Sequence, residues 1–423
     1  MMRTSFLLAV SSLWVRLPAC WLPVPAPQVL RPRSTPYRRT ACPPAAAAST
    51  ALGDDPVLAG RAVAKWCVAA DRPQATVAVS SAATLAHALH DFWAVARAFA
   101  EDGGERGRQR ILAFPAWSSC ASDYPSFQRV LQHLQDCAEV CEYLGESLLV
   151  TGRHPSTSPT EEEPCAVPCP MLVLRSFTQK AWGDYSEENS GLKNPFATTP
   201  ESKAMDADAD GDGAVASDAE VLSSTRRWVE GIICKVKVCP FSSTADRAGL
   251  PAGAVTYPIT HATTAEEVYE EFWAQVLELA ATDERQISTV LLITPRFALH
   301  SPGGYDVFAD TLNNALEQLR IEDTIQLVFF HPMYTFRDGK ARLTGDDGAA
   351  NFARRSPFPM INLLRTPQVR KAQKGVPTGS VYTTNERNLE VVGAHELQRM
   401  LEARDWSGVF EHEYAAHDEN TWK

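Results

Sequence analysis

The sequence predicts an α/β fold built as two tandem similar layered units, each a small mainly parallel three-stranded sheet with helices packed on it. Short runs of β-branched and aromatic residues alternate with longer segments in which apolar residues recur at helical spacing. Helical segments of that length between strands are typical of the right-handed crossovers of a parallel sheet. The same order of elements occurs twice along the chain.

The first unit is predicted over residues 54–177. A helix that carries Trp66 opens it, and His154-Pro155 closes its third strand. The predicted elements are a helix over 58–70, a strand over 75–80, a helix over 82–100, a strand over 111–114, a helix over 125–141 and a strand over 148–150.

The second unit is predicted over residues 218–410. Ser217 and Glu220 have the spacing of a capping box, so its first helix, which carries Trp228, is predicted to begin there. The elements that follow are a strand over 254–259, a helix over 264–281, a strand over 290–294, a helix over 305–319 and a strand over 325–330.

Short matches between the two units keep the same order and a nearly constant offset, which indicates a tandem duplication. An intramolecular pseudo-dimer is one arrangement that such a duplication permits. The matches are Phe92-Trp93 with Phe272-Trp273, Leu112 and Pro115 with Leu292 and Pro295, Tyr124 and Phe127 with Tyr305 and Phe308, His154-Pro155 with His331-Pro332, and Pro170-Met171 with Pro359-Met360.

The first 53 residues contain no Asp or Glu but several arginines, with Ser, Thr, Pro and Ala filling most of the remainder. This composition predicts a disordered transit peptide over residues 1–53. The apolar stretch Phe6–Val10 resembles the start of a signal peptide, so we expect a plastid, with the mitochondrion as the alternative. A leader without a targeting role is the remaining interpretation. Residues 178–217 are predicted to be an acidic flexible linker and 411–423 a polar tail.

The composition excludes some classes of function. A formal net charge of −11 argues against a general nucleic-acid binder, which usually carries a basic face. No apolar run is long enough to span a bilayer, so we expect a soluble globular protein.

Two motifs that suggest metals are weak. Asp208–Gly213 resembles the start of a calcium loop, but Ala219 stands where the twelfth-position carboxylate is required, so a solvated linker is favoured. Cys137, Cys141, Cys165 and Cys169 could bind zinc or form disulfides, but their spacing favours a mixture of small buried hydrophobes and exposed thiols. We predict no metal site, and the sequence leaves the cofactor open.

The candidate site lies where the predicted strand 325–330 ends at His331-Pro332. Polar residues at strand ends and on stiff loops are where α/β proteins commonly hold their ligands. Arg354-Arg355-Ser356 precedes a proline-rich turn, and the planar guanidinium suits phosphate and carboxylate. We expect one pocket, with Cys239, His331 and Glu386 as catalytic residues and Arg355, Ser356, Arg365, Arg387 and Asn388 as substrate-binding residues.

Each role has an alternative. Cys239 would be a nucleophile or simply a wall of the pocket, and His331 would be an acid or base, with Glu386 orienting it or a ligand. The competing interpretations are a packed cysteine, a hydrogen-bonded core histidine and surface ion pairs of the arginines.

Residues 228–402 resemble an uncharacterised family known as domain of unknown function 1415. The motifs that carry the resemblance are Cys239-Pro240-Phe241, His331-Pro332 with Tyr334 and Phe336, Arg355–Pro359, Leu363-Leu364-Arg365 and Arg387-Asn388. The chain departs from the family pattern at Asn362 and Thr366, where the family has His and Glu. The resemblance indicates which residues are the leading candidates for the site, but it implies no reaction.

The first unit keeps His154-Pro155 and Arg175 but has no Cys-Pro-Phe, no Arg-Ser before its proline run and no Glu-Arg-Asn, so it is predicted to be a degenerate copy with a structural or regulatory role. The preferred hypothesis is an enzyme or binder of a small anionic metabolite, with the site in the C-terminal copy. The alternative is a non-catalytic scaffold or assembly protein that uses the duplicated layers as an interaction surface.

Overall fold

The computed structural model describes residues 28–30, 55–102, 108–157, 166–176, 216–248, 253–336, 348–374 and 378–416, with short gaps at 71, 73–74, 139, 142–143, 145–147 and 240–241. The described residues form two compact units. The N-terminal unit lies within Ala19–Lys203 and Thr264–Ala274, and the C-terminal unit within Ala204–Thr263 and Gln275–Lys423.

The N-terminal unit contains one mixed sheet with helices between its strands. Its elements are β1 (Gln28–Leu30), α1 (Pro56–Ala69), β2 (Thr76–Val79), α2 (Leu85–Glu101), β3 (Gln109–Ala113), α3 (Ser118–Ser122), α4 (Tyr124–Cys137), β4 (Leu148–Arg153) and β5 (Met171–Ser176).

The strand order of this sheet is β1-β2-β3-β5-β4. Strands β2 and β3 are parallel, whereas β5 lies between β3 and β4 and is antiparallel to both. The prediction of three mainly parallel strands is therefore wrong. Strand β5, which begins at Met171, is a further strand beyond those predicted for this unit, and its antiparallel direction makes the sheet mixed.

The C-terminal unit supplies most of the remaining elements. They are α5 (Asp218–Trp228), a π-helix (Val229–Lys235), β6 (Ser242–Thr244), β7 (Arg247–Ala248), β8 (Ala254–Thr256), α6 (Ala265–Ala281, whose first part belongs to the N-terminal unit), β9 (Ile287–Ile293), α7 (Pro302–Gln318), β10 (Ile325–Phe330), a first 3-10 helix (Ala349–Ala353), β11 (Met360–Arg365), α8 (Thr366–Ala372), α9 (Thr378–Val392), α10 (Ala394–Ala403) and a second 3-10 helix (Ser407–Glu411).

Its main sheet has the order β10-β11-β9-β8 and again contains one parallel pair, β8 with β9. Strand β11 is antiparallel to both β9 and β10. The α/β class is confirmed. This sheet is not mainly parallel either, because β11 runs antiparallel to both of its neighbours.

The core of the C-terminal unit covers one face of this sheet. Alternate residues of a strand point to the same face, so Met360 and Leu364 share the face on which Trp228 and Ile232 are buried. The ring of Trp228 lies edge-on to Phe330, with centroids 5.0 Å apart. The capping box at Ser217 and Glu220 that the spacing predicts is present at the start of α5. This packing fixes α5 and the π-helix over the sheet.

Some predicted features lie outside the described residues. They are the leader apart from 28–30, the linker as far as residue 215, the acidic Asp208–Gly213 segment, Cys165 and the last seven residues. Among the helices that the structure does describe, none combines the length and apolar character needed to cross a membrane.

Candidate functional site

The predicted site residues do not all lie at one end of the C-terminal sheet. Phe330, the residue before His331, pairs with Met360, whereas Arg365 pairs with Ile325 at the other end of the same two strands. Five residues of strand separate the two ends by about 17 Å. This placement separates Arg365 from His331. Its cause is the antiparallel direction of β11, which places the end of β11 beside the start of β10.

Arg365 holds main-chain carbonyl groups at its own end of the sheet. Its Nε donates to the carbonyl oxygen of Ile287 at 3.0 Å, and its Nη2 donates to that of Thr282 at 2.8 Å. Thr282 directly follows α6, so the guanidinium caps the last turn of that helix. Burial lowers the pKa of Arg365 from its ordinary value.

His331 is 1% exposed, and both of its ring nitrogens are hydrogen-bonded to the main chain. Nε2 donates to the carbonyl oxygen of Ala298 at 2.9 Å, and Nδ1 accepts the amide of Met333 at 3.1 Å. The ring also packs against Tyr305, with centroids 5.1 Å apart. These bonds select the neutral tautomer with the proton on Nε2. An acid or base role would require one of them to break.

Ser356 and Arg355 bind main-chain groups around the turn that follows the first 3-10 helix. Ser356 is buried, and its hydroxyl donates to the carbonyl oxygen of Phe358 at 2.6 Å. Arg355 donates from Nε to the carbonyl oxygen of Tyr334 at 3.0 Å. The indole of Trp228 in turn donates to the Arg355 carbonyl oxygen at 2.9 Å, which ties the end of α5 to this turn.

Guanidinium groups and aromatic rings stack beside this turn. The guanidinium carbon of Arg354 lies 5.5 Å from the centroid of Tyr334 and 5.9 Å from that of Phe336, and that of Arg355 lies 4.9 Å from the centroid of Phe352. No ion pair found among the described residues involves Arg354. We name these five residues the arginine–aromatic cluster. Its two half-buried cations fit a phosphate or a carboxylate.

Cys239 follows a backbone of unusual geometry. The π-helix leads into Lys237, whose φ of 64° lies in the left-handed region that side chains other than Gly rarely adopt. The chain then folds back, and the amide of Cys239 donates to the carbonyl oxygen of Ile233 at 3.2 Å. Short π-helices and strained residues are frequent at functional sites. We name residues Val236–Cys239 the cysteine loop.

Two asparagines of α9 hold the cysteine loop by its carbonyl groups. Asn385 Nδ2 donates to the carbonyl oxygen of Val238 at 2.9 Å, and Asn388 Nδ2 donates to that of Val236 at 3.0 Å. Both polar atoms of the Asn388 side chain are hydrogen-bonded, because Nδ2 also donates to the carbonyl oxygen of Ala415 and Oδ1 accepts the Ala415 amide. The Oδ1 of Asn385, in contrast, is buried without a hydrogen-bond partner among the described residues.

Glu386 and Arg387 lie between these two asparagines on α9. Glu386 is half-buried and Arg387 is exposed, whereas the residues on either side are buried. Residues three apart share a helix face, so the Asn385–Asn388 spacing is itself a signal that marks the buried face of this helix. The sequence prediction included Asn388, Glu386 and Arg387 but missed Asn385.

The π-helix that precedes the cysteine loop carries a buried thiol, Cys234, which stays protonated at neutral pH. Burial raises the pKa of Cys234, on the π-helix, to about 12, and the charge of Cys239 adds to that effect. Cys239 itself is 2% exposed. A nucleophilic cysteine reacts as the thiolate, so a catalytic role for Cys239 requires a ligand or a movement that stabilises the thiolate.

Helix α9 contacts both candidate regions. Through Asn385 and Asn388 it holds the cysteine loop, and it also packs against the first 3-10 helix, which leads directly into Arg354. The cysteine loop and the arginine–aromatic cluster therefore share one supporting helix.

Metal ligands are not gathered in the described part of the chain. No group of three or more His, Cys, Asp or Glu side chains there is arranged to hold an ion. Of the four cysteines considered for zinc, Cys137, Cys141 and Cys169 are buried free thiols.

Comparison with known proteins agrees with the resemblance inferred from the motifs. Residues 220–399 match the model of a family described as "Protein of unknown function (DUF1415)". This segment contains the cysteine loop, the arginine–aromatic cluster and both asparagines, and the match does not extend to the N-terminal unit. No curated protein and no solved structure matches the chain.

Proposed function

We propose that the family segment, residues 220–399, binds a small metabolite carrying a phosphate or carboxylate group at the cysteine loop and the arginine–aromatic cluster. The observation that carries the proposal is that α9 supports both regions. It binds the cysteine loop through hydrogen bonds from two buried asparagines and packs against the first 3-10 helix. Arg354 and Arg355 would receive the anionic group, while the cysteine loop and Asn385 would contact the rest of the ligand. Such a site would suit a binding protein without further change. It would suit an enzyme if the thiolate of Cys239 were stabilised.

The hydrogen bonds divide the predicted residues by role. His331, Ser356, Arg365 and Asn388 use their polar atoms on main-chain groups, so we propose that they hold the turns and strand ends around the site. Glu386 and Arg387 lie on the less buried side of α9, where a ligand could reach them. We retain them as candidate contacts.

Thermal unfolding of the full chain tests the proposal against a panel of inorganic phosphate, sugar phosphates and small carboxylates. A ligand at a hundredfold excess over its dissociation constant stabilises the native state by about 2.7 kcal/mol. We expect such a shift in wild type, its loss in Arg354→Gln and its persistence in Arg399→Gln, since Arg399 pairs with Glu396 on the exposed side of α10.

The scaffold alternative makes the opposite prediction. It is favoured if no anion shifts the midpoint and if Arg354→Gln is as stable as wild type.

We further propose that residues 1–53 direct the protein to a plastid and that the two units arose by duplication. The composition of the leader supports the first proposal. The shared strand order of the two sheets and the recurring sequence matches support the second. A fluorescent fusion of residues 1–53 that stays in the cytosol would contradict the targeting proposal.

A further inference from the structure

Both asparagines of α9 donate hydrogen bonds through the side-chain nitrogen, but they differ in whether the side-chain oxygen accepts one. Each donates Nδ2 to a carbonyl oxygen of the cysteine loop, at 2.9 Å for Asn385 and 3.0 Å for Asn388. The carbonyl oxygen of Asn388 accepts the amide of Ala415 at 3.0 Å. The equivalent oxygen of Asn385 accepts no hydrogen bond from any described residue, although this side chain is 5% exposed.

A buried amide oxygen without a donor is costly. Removing such a group from water without a compensating hydrogen bond destabilises the folded state. Buried polar atoms are therefore nearly always paired, and an exception beside a candidate site points to a ligand that completes the pairing. The Nδ2 bond to Val238 fixes the plane of the carboxamide, so the direction of the spare oxygen is fixed as well.

We infer that Asn385 is a specificity residue, whose Oδ1 accepts a hydrogen bond from a hydroxyl or amino group of the ligand. The inference rests on the proposed function and deepens it. With an anionic group at Arg354 and Arg355, it defines the ligand class as hydroxylated or aminated phosphates and carboxylates. The cysteine loop lies beside the same oxygen because Asn385 bonds the residue that precedes Cys239.

Matched pairs of small anions test this inference by calorimetric titration of the full chain. We would compare sn-glycerol 3-phosphate with propyl phosphate, and L-lactate with propionate, because the members of a pair differ in hydroxyl groups. Wild type is expected to bind the hydroxylated member of a pair at least tenfold more tightly. A buried acceptor that recognises a hydroxyl rejects an analogue that lacks it, since the acceptor is then left unpaired.

Variants separate recognition from support of the loop. In Asn385→Leu the affinity ratio should fall to near one, with the non-hydroxylated anion bound as in wild type. A purely structural role would instead weaken both members of a pair equally and leave the ratio unchanged. Asn388→Leu, which loses main-chain bonds alone, should lower the unfolding midpoint while the ratio stays as in wild type. If Asn385→Leu does not fold, Asn385→Ala provides the decision, since it removes the same acceptor oxygen with a smaller side chain and should likewise bring the ratio near one.

The possible failures are distinguishable. If wild type binds both members of each pair with equal affinity, the role of Asn385 is overturned and the anion site stands. If wild type binds neither member of any pair, both the inference and the proposed function are overturned.

Discussion

His154 and His331 make the same pair of hydrogen bonds in the two units of the chain. Each donates Nε2–H to a main-chain carbonyl oxygen 2.9 Å away, that of Cys120 for His154 and that of Ala298 for His331. Each accepts at Nδ1 the amide of the residue two positions later, at 3.1 Å. The likeness favours a structural role for the His-Pro motif, because the first unit has the same bonds without the other polar motifs of the second.

The first prediction concerns this pair. His331→Ala and His154→Ala each remove two hydrogen bonds of a buried ring and open a cavity, so each should lower the free energy of unfolding by about 2–4 kcal/mol. Urea unfolding would measure the loss, with exposed His300→Ala as a control expected within about 0.5 kcal/mol of wild type. A His331→Ala protein as stable as wild type would rule out the structural role.

The second prediction concerns the cap formed by Arg365. Arg365→Met keeps much of the side-chain volume but leaves the carbonyl groups of Thr282 and Ile287 without these donors. The free energy of unfolding should fall by about 1–3 kcal/mol, and any anion-induced shift should persist. Exposed Arg399→Met provides the control. Loss of the anion response in Arg365→Met alone would instead return Arg365 to the ligand site.

A third prediction concerns pH and the N-terminal unit. Burial lowers the pKa of His133 to about 4, below the value of about 6.5 in the unfolded chain. Between these two values the unfolded state binds more protons, so the stability falls as the pH falls. The full effect is about 3 kcal/mol. His133→Gln should flatten the dependence of stability on pH over this range, and an unchanged slope would contradict the assignment.

The fourth prediction concerns thiol reactivity at the π-helix. Because burial raises the pKa of Cys234 to about 12, its alkylation rate should rise about tenfold per pH unit between pH 7 and 10 without a plateau. Peptide mass spectrometry after iodoacetamide treatment would follow this residue by itself. A plateau near pH 8.5 would indicate an ordinary, accessible thiol.

Local patterns predicted three strands of each unit, and the helices between these strands, closely. The predicted helix over 264–281 is found at Ala265–Ala281, and the predicted strand over 325–330 is found at Ile325–Phe330. Apolar periodicity records which face of a segment is buried, and this depends mainly on nearby sequence. The direction of β11 does not depend on nearby sequence, because it is set by pairing with strands distant along the chain.

The same limit explains the partial prediction of the site. Residue chemistry pointed to Arg355 and Cys239, and helical spacing could have added Asn385. No local pattern shows that Arg365 caps α6, because its partners lie about 80 residues earlier in the chain. Nor does the sequence indicate the π-helix or the left-handed backbone at Lys237, since neither requires a particular residue type.

The most direct test of the central claim is a calorimetric titration with the anion that gives the largest thermal shift. If one ligand spans the arginine–aromatic cluster and the cysteine loop, Arg354→Gln and Asn385→Leu should each raise Kd for a hydroxylated anion at least tenfold. Arg399→Gln should bind as wild type does. Equal Kd values in all four proteins, or no binding of any anion by wild type, would contradict a ligand site supported by α9.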